Sequence, residues 1–126
     1  MNIIDNKLII PEGTEEIGVC AYKDRNDFTS ISFPDSLTSI GGWAFCGCSE
    51  LREVVMPKNL IEIRMEAFIN CSKLREVILP ENLRDVEEGA FANCRELTKL
   101  TVWGDFTKFE YGLSGVFFGC DRNVPP

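Results

Sequence analysis

Residues 48–71 read CSELREVVMPKNLIEIRMEAFINC, and residues 71–94 read CSKLREVILPENLRDVEEGAFANC. The second stretch is the first moved on by 23 residues, and a looser copy runs back from Cys48 to Arg25. A fixed period of this length marks a stacked-repeat architecture, because one such unit cannot bury its own apolar face.

Aligning the chain on that period puts Pro11, Pro34, Pro57 and Pro80 in one column, with Trp103 in the fifth place. Leu8, Ile31, Val54, Val77 and Leu100 lie three residues before it, and Ile10, Phe33, Met56, Leu79 and Val102 one residue before it. Apolar residues two apart predict a strand with both side chains on one face. The strand is short, because the proline that follows has no N–H to give. Beyond the proline come the pairs Leu37/Ile40, Leu60/Ile63, Leu83/Val86 and Phe106/Phe109. Next come Ala21-Tyr22, Ala44-Phe45, Ala67-Phe68 and Ala90-Phe91, then the cysteine column, then Phe28, Leu51, Leu74 and Leu97. These columns are the predicted core. Gly18 and Gly41 share a column with Arg64 and Glu87, so that position does not demand glycine.

The last rung is altered. Val116-Phe117-x-x-Cys120 matches Ala90-Phe91-x-x-Cys94 at a step of 26, with the three extra residues placed in EYGLSG, 110–115, which reads as an extended loop. The expected organisation is a single domain over 1–126: an N-terminal cap or first strand at 1–10, four 23-residue repeats at 11–102 and an atypical capping repeat at 103–126. A segment cut from a longer array would read the same way.

Four of the six cysteines, Cys48, Cys71, Cys94 and Cys120, share one column. A reduced, buried row of small side chains is the favoured reading, with disulfides or a metal as alternatives. Cys20 and Cys46 lie off that column and are the expected exposed thiols. Cys46-x-Cys48 is not zinc spacing, and the sequence has no histidine. The net charge of −7 argues against nucleic acid and anionic membrane surfaces as partners. No apolar run approaches the roughly 20 residues that span a bilayer, and the start carries no signal-peptide pattern.

The run Leu51-x-x-Val54-x-Met56-x-x-Asn59 and its copy Leu74-x-x-Val77-x-Leu79-x-x-Asn82 resemble the leucine-rich repeat pattern, although Leu60 and Leu83 follow the asparagine without a spacer. The whole unit, Pro-x-x-Leu-x-x-Ile-x-x-x-Ala-Phe-x-x-Cys-x-x-Leu-x-x-Val, resembles the BspA-like leucine-rich repeats. That resemblance implies a right-handed leucine-rich-repeat solenoid with a parallel sheet on one side and turns or short strands opposite. It also implies a family that is mostly bacterial or protozoan, often surface-exposed and adhesive. The weak lean to a secreted or cell-surface setting comes from the resemblance alone.

If Val54 and Met56 face inward, two columns face out on the sheet. They are Lys7, Ser30, Glu53, Glu76, Lys99 and Ile9, Ser32, Val55, Ile78, Thr101, with Arg52 and Arg75 stacked just before the strand. The candidate protein-binding face is Ser30, Ser32, Arg52, Glu53, Val55, Arg75, Glu76, Ile78, Lys99 and Thr101. The plainer reading is β-branched residues favouring strands, with Arg and Glu pairing as a solvated charge row. Five strands about 4.8 Å apart give a sheet roughly 20 Å wide and a face on the order of 400 Å². A stable folded partner takes about 800 Å² per side, so end-to-end pairing into a homodimer through residues 1–10 and 103–126 is one route to a larger unit. Trp43, partly exposed, and Trp103, packed into the cap, read as structural, with either one anchoring a partner as the alternative.

No catalytic, metal or cofactor site is expected. Without histidine no Ser-His or Cys-His arrangement exists. A pair such as Glu62/Asp85 would sit on an exposed turn, and Glu15-Glu16 and Glu87-Glu88 lack the converging oxygens of a calcium loop. The chain therefore reads as a non-catalytic interaction module with an unidentified protein partner. The alternative is a structural segment of a longer array with no ligand of its own.

Overall fold

The computed structural model describes residues 2–105 and 112–120, apart from the side chain at 113. Each rung opens with a strand: β2 (Lys7–Ile9), β4 (Ser30–Ser32), β6 (Glu53–Val55), β8 (Glu76–Leu79) and β10 (Lys99–Val102). Each strand ends before its proline or, in the last rung, before Trp103. The carbonyls of Pro11, Pro34, Pro57 and Pro80 then accept the N–H three residues on, from Thr14, Leu37, Leu60 and Leu83. This tight turn leads into a second set of two-residue strands: β3 (Glu16–Ile17), β5 (Ser39–Ile40), β7 (Glu62–Ile63) and β9 (Asp85–Val86). They form one four-stranded parallel sheet in the order β3-β5-β7-β9.

The longer strands do not form one five-stranded sheet. β2 and β4 pair in parallel, β6, β8 and β10 pair in parallel, and the ladder breaks between β4 and β6. There the Arg52 N–H still donates to the Thr29 carbonyl at 2.8 Å. Both flanks of β4 carry phenylalanine, Phe28 and Phe33, where the next rung has Leu51 and Met56. Both rings meet Phe45 edge-on, at 6.5 and 6.1 Å. The ladder breaks at the step where these two rings stand in place of the smaller side chains of the next rung. On the outer edge, β1 (Ile3–Ile4) pairs antiparallel with β2 through Asp5 and Asn6, both at positive φ (51° and 65°). Two left-handed residues are what a tight hairpin requires, and the hairpin covers the edge of β2.

The core is one column set. Leu8, Ile31, Val54, Val77, Leu51, Leu74, Leu97, Leu60, Ile63, Leu83 and Val86 are all buried. At the third side of each rung the aromatic residues stack: Tyr22–Phe45, Phe45–Phe68, Phe68–Phe91 and Phe91–Phe117, with centroids 5.0–5.4 Å apart. That spacing matches the strand spacing, so a single repeat distance serves backbone hydrogen bonds and ring faces together. Ala21 in the first rung is exposed and Tyr22 half-buried, because no rung covers them from outside.

All six cysteines are free. Cys48, Cys71 and Cys94 are fully buried and Cys120 is partly so. Each ladder thiol donates to a carbonyl of the preceding rung: to Tyr22, Phe45, Phe68 and Phe91, at 3.3, 3.2, 3.2 and 3.0 Å. The column therefore holds a small apolar residue that also carries a donor, which at Tyr22 and Phe45 adds to a backbone N–H, from Arg25 and Cys48, on the same carbonyl. Cys20 is exposed as expected, but Cys46 is buried. The main chain at Cys46 is bracketed by the rungs on either side: the Asp24 N–H donates to the Cys46 carbonyl at 2.7 Å and the Gly47 N–H to Ile69 at 2.9 Å. A short side chain there is enclosed, and burial raises its thiol pKa.

Two corners of every rung are left-handed. Cys20, Trp43, Glu66 and Gly89 form one such column; Asp24, Gly47, Asn70, Asn93 and Gly119 form the other. Gly18 and Gly41 are not among them, in line with the mixed column they occupy. Gly41 is nonetheless constrained, since a Cβ there would lie 2.6 Å from the Ile17 carbonyl oxygen.

The expected extended loop at 110–115 is instead, within the described residues, a short helix, α1 (Gly112–Val116). A helix rises about 1.5 Å per residue against about 3.3 Å for a strand, so it takes up the three inserted residues in little length. It delivers Val116 and Phe117 into the core, where the Phe91 N–H donates to the Val116 carbonyl at 3.0 Å. The pair Phe106/Phe109 lies outside the described residues.

Candidate functional site on the strand face

The outward columns lie in register. Lys7 faces Ser30 and Ile9 faces Ser32 across β2/β4; Glu53, Glu76 and Lys99 align across β6, β8 and β10, as do Val55, Ile78 and Thr101. Arg52 and Arg75 stand on neighbouring strands, with the Arg75 N–H donating to the Arg52 carbonyl at 2.7 Å. Thr98 continues that row, donating to Arg75 at 3.1 Å. The face thus changes chemistry along the strand direction, from arginine to glutamate to branched aliphatic. Ser30 and Ser32 are half-buried beside the break between β4 and β6 and stand apart from the denser group on β6, β8 and β10.

Two clefts lie on this face. The smaller, about 250 Å³, is lined by Arg52, Glu53, Arg75, Glu76, Thr98 and Lys99. The larger, about 500 Å³, is lined by Val55, Met56, Lys58, Asn59, Ile78, Pro80, Glu81, Asn82 and Trp103. Val55 is 55% exposed, whereas Ile78 is half-buried. Trp103 does not pack into the cap: it is 69% exposed and walls the larger cleft. Proline occupies this column in the other rungs, as Pro80 does beside it, so the ring stands at a turn on the cleft rim. Asn59 and Asn82 fix the rim by donating to the carbonyls of Asp35 and Lys58, at 2.9 and 3.4 Å. The sequence reading placed Trp103 in the cap; its departure from proline in an otherwise regular column was the signal of a different setting.

The charges on this face are not spent on one another. Among the described residues, ion pairs form at Arg25–Asp27, Lys58–Asp35, Arg64–Glu62, Arg64–Glu87 and Lys73–Glu50, and none involves Arg52, Glu53, Arg75, Glu76 or Lys99. The self-paired charge row of the plainer reading does not form: register sets Arg52 by Arg75 and Glu53 by Glu76, like beside like, and Lys99, although in register with Glu76, makes no ion pair with it among the described residues.

The opposite sheet behaves otherwise. Arg64 bridges Glu62 at 3.0 Å and Glu87 at 3.7 Å, and the Glu87 carboxylate also accepts the Met65 N–H at 2.9 Å. The indole N–H of half-buried Trp43 donates to Glu66 at 2.9 Å. Glu62 and Asp85 lie in paired strand positions of β7 and β9, not on an exposed turn, because each directly precedes a core residue, Ile63 or Val86. Among the described residues no group of three or more Asp, Glu, Cys or His side chains could hold a metal ion.

A regular 23-residue rung with an Ala-Phe stack and a cysteine column is now in place, and sequence comparison agrees with it. The family model described as "BspA type Leucine rich repeat region" matches residues 3–122 in 6 copies. The chain belongs to the BspA-type leucine-rich repeat family. Similar folds are found among solved structures of bacterial leucine-rich repeat proteins. A leucine-rich repeat protein of T. pallidum superposes with a TM-score of 0.71 at 25% identity, covering 77% of this chain and 51% of that one. A leucine-rich cell surface protein of Faecalibacterium prausnitzii gives 0.60 at 26%, covering 82% and 34%. A leucine-rich repeat protein of Bacteroides ovatus gives 0.53 at 26%, covering 80% and 34%. This BspA-type chain therefore spans about half the length of the first and a third of the other two. Comparison with curated proteins gives no match. Among the described residues no helix is long and apolar enough to cross a membrane.

Proposed function

We propose that this BspA-type repeat unit is a non-catalytic protein-interaction module that presents the β6-β8-β10 side of its strand face to a protein partner. One observation carries the reading: unpaired charges at Arg52, Glu53, Arg75, Glu76 and Lys99 lie beside an apolar cleft rimmed by an exposed tryptophan. Binding sites combine an aromatic anchor, apolar lining and a few polar groups in this way. Two features speak against a nucleophilic enzyme. The sequence has no histidine base. Burial pushes the Cys48 thiol up to about 12, the wrong direction for a nucleophile. A surface or secreted adhesin-like setting agrees with the name of the Faecalibacterium protein.

The second reading, a structural segment of a longer array, is favoured by the partial coverage of all three solved structures. Panning a random linear-peptide display library against the wild-type chain and a Val55→Asp/Trp103→Ala variant separates the two. Peptides that enrich on the wild type and lose binding to the variant support the module. Enrichment that ignores the variant, or no enrichment, supports the structural segment.

A further inference from the structure

The chemistry of this face specifies more than a protein surface. We infer that it takes an extended peptide carrying a carboxylate side chain and, three residues away, an aromatic or branched aliphatic one. The carboxylate sits on Arg52 and Arg75, and the apolar side chain enters the cleft beside Val55, Ile78 and Trp103. This deepens the interaction-module reading and rests on it.

The two arginines occupy equivalent positions on adjacent strands, so their backbones stand about 4.8 Å apart. Both are exposed, and neither has an ion-pair partner among the described residues, whereas Arg25 and Arg64 do. Side-by-side guanidinium groups repel until an anion lies between them, and guanidinium geometry suits a carboxylate. Glu53 and Glu76 occupy the next outward row, so a second acid directly after the first is rejected and a neutral or basic residue is accepted. Two residues further along lie Val55 and Ile78, where the cleft of about 500 Å³ opens. Three residues separate Arg52 from Val55, about 10 Å at strand rise, and a peptide in the polyproline II form, with three residues per turn at about 3.1 Å each, spans that distance and brings the side chain three residues on back to the same face. The acid-to-apolar spacing follows from this match, whichever direction the peptide runs.

Area selects a linear segment over a folded domain. A face on the order of 400 Å² is half of the about 800 Å² per side that a stable folded partner uses. The net charge of −7 and the glutamate row oppose nucleic acid.

The test uses peptides enriched from the display library on the wild-type chain. Their affinity is measured for wild type, Arg52→Gln/Arg75→Gln and Val55→Asp/Trp103→Ala, with thermal melts to confirm that each variant is folded. The enriched set is expected to share an acid three residues from an aromatic or aliphatic residue. Arg52→Gln/Arg75→Gln is expected to weaken binding about tenfold, a difference that shrinks as salt is raised. Replacing the peptide acid by its amide should give the same loss on wild type and none on the arginine variant. Peptides lost on Val55→Asp/Trp103→Ala but indifferent to the arginine variant overturn this inference and leave the module standing. No enrichment, or equal binding to all three proteins, overturns both.

Discussion

The two strand faces of this solenoid share one core and one repeat distance, yet treat surface charge in opposite ways. On the short-strand side Arg64 is held by Glu62 and Glu87, and Trp43 by Glu66. On the long-strand side Arg52, Arg75, Glu53 and Glu76 face outward in like-charged pairs with no intramolecular ion pair among the described residues. The contrast arises from register. A stacked repeat sets each residue beside its equivalent one rung away, so one identical charge per rung repels its neighbour. A column that alternates, or a long side chain that reaches the next column, can pair. The face that closes its charges on itself stabilises the scaffold. The face that does not is the one proposed above to bind a partner.

That contrast can be broken from inside or sharpened at the surface. Phe68→Ala removes the middle of the ring stack beneath both faces and is expected to cost about 3–5 kcal/mol in denaturant unfolding. Both strand faces should be lost in one transition. Two separate transitions would show that the faces are held independently. Cys71→Ala deletes the thiol donor to the Phe45 carbonyl, which keeps the Cys48 N–H, and is expected to cost about 0.5–1.5 kcal/mol. A loss of a few tenths would mean that packing alone explains the column.

The thiols also set a pH response. Burial raises the Cys48 pKa from the ordinary 9.0 to about 12. The unfolded chain therefore releases that proton first as pH rises, and the stability this thiol contributes is complete below pH 9.0 and lost as pH climbs toward about 12. Denaturation midpoints across that window check the sign, and Cys48→Ala should flatten the slope. A thiol-specific reagent should label Cys20 rapidly in the native protein and Cys46, Cys48, Cys71 and Cys94 only on unfolding. The smallest effect is the sharpest comparison. Arg64→Ala is expected to lose up to about 1 kcal/mol of stability, and Arg52→Ala nothing beyond about 0.5 kcal/mol in either direction. Equal losses for the two would mean that Arg52 has an intramolecular role after all.

The core was legible because the same requirement is written in every rung: Val54, Val77, Phe45, Phe68 and Cys71 sit where the period puts them. The outward columns were legible by the same alternation. What departed from the repeat was harder to read. Trp103 inherited an expectation from its prolines, and only the altered last rung shows that its ring stands clear. Cys46 shares a column with Lys23 and Ile69, so composition suggested exposure, although Ala92 in that column is also buried. The sheet break between β4 and β6 falls where Phe28 and Phe33 both replace smaller residues, a coincidence that separate columns do not reveal. The left-handed corners were half visible in Gly47, Asn70, Gly89 and Asn93, but Trp43 and Glu66 at φ 56° and 53° give no such sign.

The matched spacing of rings and strands has a genetic consequence. A duplication of one 23-residue segment, such as 49–71, would enter the stack with its aromatic ring, its thiol donor and its strand already in register. The inserted copy would add one arginine, one glutamate and one aliphatic residue to the outer face, about 4.8 Å further along. Unequal recombination can thus lengthen or shorten the recognition strip by whole rungs without redesigning the interior, and the length of the row becomes a quantity that selection can adjust in single steps.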